Sequence, residues 1–133
     1  MENEDTHTEE WAMNIMRQLL SAIAYMHDKK ICHRDIKPDN ILFENTNQKS
    51  IKLIDFGIST KYIPETYLTD LVGTLYYMSP DLIDMHYNEK CDIWASGVVL
   101  YYILTGILLY QGSSEEEVIQ NIYTRSLKFD GIN

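Results

Sequence analysis

With 133 residues, 45% of them hydrophobic, the chain holds enough sequence and apolar content for one packed domain, which excludes a disordered tail. Its formal charge of −9 repels a phosphate backbone and argues against nucleic-acid binding, while simple solubility and basic protein substrates both remain compatible with it. The two cysteines, Cys32 and Cys91, have no CxxC spacing and lie in apolar stretches, which predicts reduced core residues of an intracellular, cytoplasmic protein.

Residues 1–10 are acidic and polar where a secretory signal needs a basic start and an apolar run, so no signal peptide is expected. Thr6 and Glu9 make a capping-box pair and predict a helix start. Ala12, Ile15, Met16, Leu19, Ile23 and Met26 then recur at helical spacing and form one apolar face. His27, near the end of that helix, reads as a surface histidine favoured by the helix C-terminus. The following run, His33-Arg34-Asp35-Ile36-Lys37-Pro38-Asp39-Asn40, sets a carboxylate, an ammonium and an amide close together beside a proline, which suits a loop and not a packed helix. Ile41-Leu42-Phe43 and residues 51–54 flank the polar run 44–50 and predict a two-stranded hairpin.

Asn88 can cap the next helix. Residues 93–110 contain no charge, and about 18 apolar residues reach the length of a membrane span. Ser96, Gly97, Thr105 and Gly106, with no basic flank, favour the buried axle of a soluble domain instead, so no membrane span is expected. Gly106 suits the end of this helix. Ser114 and Glu117 form a second capping box, opening a helix through Val118, Ile119 and Ile122. No internal repeat or low-complexity linker interrupts the pattern, and the fold class expected is mainly α with a short β-hairpin.

His33-Arg34-Asp35 with Asn40, followed by Asp55-Phe56-Gly57, resembles the H-R-D-x-x-x-x-N catalytic loop and the D-F-G metal-binding motif of the eukaryotic protein kinases. The resemblance implies a kinase-like large lobe with ATP and Mg²⁺ as cofactors. Asp35 would take the proton of the substrate hydroxyl, Lys37 would meet the transferring phosphate, and Asn40 and Asp55 would supply hard oxygen ligands to Mg²⁺. Lys37 at this place is more similar to serine/threonine kinases than to tyrosine kinases. Ile54 and Leu42 join Lys37, Asn40 and Asp55 around the nucleotide, although Leu42 is equally read as plain core. Gly57 is expected to let the chain turn, and His33 and Phe56 to be structural.

Residues 55–81 resemble the kinase activation segment. Gly73-Thr74-Leu75-Tyr76-Tyr77 is similar to the G-T-x-x-Y element, whose threonine bridges the catalytic aspartate and lysine. Ser79-Pro80-Asp81 stands where kinases usually carry A-P-E, so Asp81 is one methylene short of the usual glutamate. Asp92-Ile93-Trp94-Ala95-Ser96-Gly97 resembles the D-x-W-x-x-G start of the central helix, which implies that Asp92 holds the catalytic-loop backbone. The bland alternative is a carboxylate merely favoured at a helix N-terminus. Arg34 resembles the arginine that pairs with an activation-segment phosphate, and Asp70 occupies the phosphorylated position. Asp39 resembles the acid that meets a basic residue upstream of the acceptor, while Tyr102 stands where a second acid often lies. Protein substrates are therefore expected to be weakly basophilic.

The resemblance runs from about Thr8 to the last residue. Tyr25-Met26-His27, Glu89-Lys90-Cys91-Asp92-Ile93-Trp94 and Phe129-Asp130-Gly131 make it most similar to calcium-dependent and calcium/calmodulin-dependent kinases, with Leu108-Leu109-Tyr110 where P-P-F is typical. No G-x-G-x-x-G, no V-A-I-K-type lysine and no EF-hand loop occurs. Residues 1–133 are thus expected to be a partial kinase domain without its small lobe, any calcium-sensing region lying elsewhere in a longer protein. Two functions stay open: a serine/threonine kinase catalytic segment, or a kinase-like scaffold or pseudokinase fragment.

Overall fold

A computed structural model describes residues 8–127. Helix α1 spans Glu9–Asp28, and its cap is Thr8, whose side chain accepts a hydrogen bond from the Trp11 N–H at 3.1 Å. The cap expected at Thr6 lies outside the described residues, and the Thr8 bond starts the helix without it. The buried face of α1 is Ala12, Ile15, Met16, Leu19, Ile23 and Met26, the stripe read from the sequence.

Two small antiparallel sheets follow. Strands β2 (Ile41–Phe43) and β3 (Ile51–Leu53) form the expected hairpin, with Ile41 opposite Leu53 and Phe43 opposite Ile51. Side chains of α1 hold the connecting loop: Trp11 Nε1 donates to Gln48 O, Asn14 Nδ2 to Lys49 O, and Gln18 Oε1 accepts from Ile51 N. Strands β1 (Ile31–Cys32) and β4 (Thr60–Lys61) make the second sheet, pairing Cys32 with Thr60. The catalytic-loop sequence runs between β1 and β2, so both sheets fix its ends.

Helix α2 (Pro80–Ile83) is capped by Ser79, whose Oγ accepts from Leu82 N, and Pro80 fills a first-turn position that needs no N–H donor. The Ser-Pro pair therefore starts a helix. Helix α3 (Cys91–Thr105) ends at Gly106, which takes the left-handed conformation with φ 71°. Asn88 does not cap it directly: its Oδ1 accepts from Lys90 N, tightening the turn before the helix. Helix α4 (Glu115–Thr124) is capped by Ser114, but Glu117 reaches back to the N–H and hydroxyl of Ser113, one residue earlier than a capping box requires.

The main core joins α1 to α3 through Leu19, Ile23, Met26, Ala95 and Val99, with Ile36 of the catalytic loop inserted into it. A second cluster packs α3 on α4 through Val98, Leu109, Tyr110, Val118 and Ile122. The axle expectation for α3 holds only in part. Ile93 is 46% exposed, and one side of the helix lines an open apolar groove of about 810 Å³. Among the described residues no helix is long and apolar enough to cross a membrane.

Candidate active site

Asp92 organises the site from below. Its side chain is fully buried, Oδ2 accepts from His33 N and Oδ1 from Arg34 N, each at 2.9 Å. A carboxylate taking two backbone donors fixes the loop in a way that no exposed residue could. His27 Nε2 lies 2.9 Å from Asp92 Oδ2, so this histidine is a partly buried partner of the loop anchor and not a surface group. Sequence reading missed that role because 65 positions separate the pair and no local pattern joins them.

His33 links the loop to the next motif. Its Nδ1 accepts from Asp35 N, so Nε2 carries the proton and donates to Ile54 O at 2.9 Å. Phe56 packs edge-on against the His33 ring, with centroids 5.1 Å apart. Ile54 N also donates to Asn40 O, which sets Asp55 beside Asn40. Asp55 itself adopts φ 59°, a left-handed conformation uncommon outside glycine, and its Oδ1 accepts from Gly57 N. The residue that makes this turn is therefore Asp55 and not Gly57. A Cβ on Gly57 would sit 3.2 Å from Asp55 Oδ1, so the glycine gives that close contact room.

At the centre, Asp35 Oδ1 accepts from the Thr74 hydroxyl at 2.8 Å, and that hydroxyl accepts from Lys37 Nζ at 2.9 Å. Lys37 Nζ also lies 3.7 Å from Asp35 Oδ2, which takes a longer bond from Asn40 Nδ2 at 3.3 Å. The same amide nitrogen donates to Asp35 O at 2.8 Å. Three residues from two distant segments, Lys37, Asn40 and Thr74, thus meet on the Asp35 carboxylate. Gly73 makes this approach possible: it has φ 108°, and a Cβ there would lie 2.6 Å from Arg34 O.

Arg34 points to the activation segment. Its Nε donates to Ile58 O, and Nη1 reaches Asp70 Oδ2 at 3.2 Å and the Tyr87 hydroxyl at 3.3 Å. Tyr87 in turn donates to Asp70 O, a contact with no signal in the sequence. Burial works against the Arg34 charge, and its partners Tyr87 and Asp70 more than offset it. Burial, followed by Asp39 and Tyr102, pushes the Tyr77 phenol up to about 12. Leu42 is 48% exposed rather than core. Asp81 is exposed and has no ion-pair partner among the described residues.

This arrangement is that of a protein kinase large lobe, and the chain belongs to the protein kinase domain family, whose model matches residues 1–131. Similar proteins include calcium-dependent protein kinase 4 of Plasmodium berghei (strain Anka), 44% identical over 121 residues that cover 90% of this chain. Its Plasmodium falciparum (isolate 3D7) counterpart is 43% identical over 121 residues, again 90% of this chain. Calcium-dependent protein kinase 5 of Plasmodium falciparum (isolate 3D7) is 39% identical over 120 residues, 90% of this chain and 21% of that protein. The chain spans only 23% of the length of the first two.

Proposed function

We propose that this chain is the catalytic large-lobe segment of a serine/threonine protein kinase, which transfers the γ-phosphate of ATP to hydroxyl groups of protein substrates. The observation that carries the reading is the bridge from Lys37 through the Thr74 hydroxyl to Asp35. It supports a carboxylate held to receive a hydroxyl proton, with an ammonium beside it to meet negative charge on the transferring group. Phosphoryl transfer asks mainly for this kind of alignment.

The remaining donors fit a hard divalent cation. Asn40 spends its amide nitrogen on Asp35 and keeps its carbonyl oxygen, while Asp55 spends Oδ1 on Gly57 and keeps Oδ2. Those two oxygens would hold Mg²⁺, which when bound shares the phosphate oxygens of ATP and neutralises their charge. Exposed Leu42 supports an apolar floor for the adenine. Asp39 at the place of the acid that meets an upstream basic residue, with Tyr102 where a second acid often lies, supports a shallow preference for Arg or Lys upstream of the acceptor. Similarity to calcium-dependent protein kinases supports calcium control through a region elsewhere in a longer protein, and two free buried thiols suit a cell interior. The alternative, a kinase-like scaffold or pseudokinase fragment, is supported by Asp81 standing where kinases usually carry glutamate.

The assay joins this segment to a nucleotide-binding small lobe and follows phosphorylation of serine peptides. Activity is expected on peptides with upstream Arg, and Asp35→Asn should lower the rate by about 10²–10⁴-fold. An Asp35→Asn variant as fast as its parent would sink the reading. By itself the chain, with no glycine-rich loop or strand lysine in its sequence, should bind Mg²⁺·ATP weakly and transfer phosphate negligibly. Submillimolar binding in a calorimetric titration would contradict that expectation.

A further inference from the structure

One pair of nucleophiles takes no part in the chemistry above. Cys32 ends β1 immediately before His33, and Cys91 opens α3 immediately before Asp92. Their sulfur atoms lie 3.4 Å apart, both residues are buried, and the chain holds only these 2 cysteines. Far apart in sequence, they are neighbours in the fold. We propose that Cys32 and Cys91 form a reversible disulfide, an oxidative modification site that ties β1 to α3 directly behind the catalytic loop.

The geometry favours an internal bond. A disulfide needs its sulfurs at about 2.05 Å, so each sulfur has only a short way to move from the 3.4 Å contact. The elements involved are already clamped by Asp92 through the N–H groups of His33 and Arg34. Access is asymmetric. Cys91 is 6% exposed and lines the groove of about 810 Å³ beside α3, whereas Cys32 is 0% exposed and does not line it. An oxidant of the peroxide class therefore meets Cys91 first. Contact with Cys91, then burial and Asp92, push the Cys32 thiol up, so Cys32 is not the first of the two to react.

The steps balance without a further reactant. The Cys91 sulfur attacks one oxygen of hydrogen peroxide, the O–O bond breaks, and sulfenic acid and water form. The Cys32 sulfur then displaces the sulfenic oxygen, which leaves as a second water carrying the Cys32 proton. One S–S bond has formed, and two electrons have passed from the sulfurs to peroxide. A dithiol reductant reverses it by exchange. A metal fits the same atoms less well. Cys32, Cys91 and Asp92 offer three ligands within 4.8 Å of one another, where structural zinc takes about four, and both Asp92 oxygens already accept hydrogen bonds.

Any effect of the cross-link on phosphoryl transfer rests on the kinase reading, whereas its formation does not. The experiment treats the folded chain with hydrogen peroxide and reads intact mass under non-reducing conditions, maleimide labelling and the thermal midpoint. A monomer lighter by a pair of hydrogens is expected, with both thiols lost, a raised midpoint and full reversal by dithiothreitol. Cys32→Ser and Cys91→Ser should each gain oxygen or stay unchanged and form no internal cross-link. Intermolecular dimers as the main product, or sulfinic acid at Cys91 with Cys32 still free, would overturn the proposal. So would zinc retained on both thiols through peroxide treatment. Failure of the phosphorylation assay leaves every one of these outcomes readable.

Discussion

Asp92 and Asp70 both hold the catalytic loop, one from the core and one from the surface, and their surroundings set their weights. Asp92 is 1% exposed and satisfies two backbone donors, so Asp92→Ala orphans both, at about 1–3 kcal/mol for each. Asp70 is 72% exposed in its side chain, and an ion pair that open to water is worth about 0–1 kcal/mol. Urea denaturation should therefore show a large loss for Asp92→Ala and almost none for Asp70→Ala; similar losses would contradict this ranking. The role proposed for Asp70 is regulatory instead. A carboxylate already beside Arg34 predicts that the small-lobe-joined protein keeps its activity after phosphatase treatment, whereas Asp70→Ala lowers it. Loss on phosphatase treatment with Asp70→Ala unaffected would reverse that. Gly73 is the third sensitive position. Gly73→Ala strains a φ of 108° and drives a methyl to 2.6 Å from Arg34 O, at a cost of about 1–3 kcal/mol. An unchanged urea midpoint would show that the loop yields there freely.

The first turn of α4 carries a pH dependence whose sign follows from its cap. The Ser113 hydroxyl, and then the Ser113 N–H, hold the Glu117 carboxyl below its ordinary value. A group with a depressed folded pKa stabilises above its unfolded value, about 4.3 for glutamate, and loses that contribution as pH falls through the folded value. Acidification should thus loosen Ser113 and the start of α4, and NMR titration should place the Glu117 midpoint below about 4.3. A midpoint at or above it, or an unchanged profile of Ser113 amide exchange in Glu117→Ala, would argue against the cap. The elements themselves were largely legible. The α1 stripe, the hairpin, Gly106 and Ser114 are local signals, each decided by residues within a turn or two. What stayed hidden depends on contacts across the fold. The β1–β4 sheet uses strands of 2 residues, too short for any alternation to declare them. The roles of His27, Tyr87 and the cysteine pair exist only once α1, the activation segment and α3 are packed together. Asp55, not Gly57, takes the left-handed turn, between Ile54, which is bonded to Asn40 and His33, and Gly57, whose N–H it accepts, and residue type alone does not suggest it.

Apolar surface is the property that the whole chain leaves unbalanced. α1 covers one side of α3 and α4 another, but the third side opens on the groove of about 810 Å³, lined by Ile93, Trp94, Leu100 and Leu104 among others. A second groove of about 800 Å³ runs between α1 and α3, and Met13 on its rim is 66% exposed. Two apolar grooves on neighbouring faces gain by being covered, about 25 cal/mol for each Å² of apolar area removed from water. The charge of −9 opposes close approach of two copies, yet it is spread over the chain and screened beyond about 10 Å in ordinary salt. At contact distance the apolar term should win. The chain by itself is therefore expected to self-associate at micromolar concentration and to bind an apolar dye, more strongly as salt is raised. Light scattering after size exclusion measures the first, and Ile93→Lys with Met13→Lys should restore monomer without loss of helix signal, since both side chains face water. A chain that stays monomeric across concentration and salt, with no dye bound, would mean that these faces close in solution.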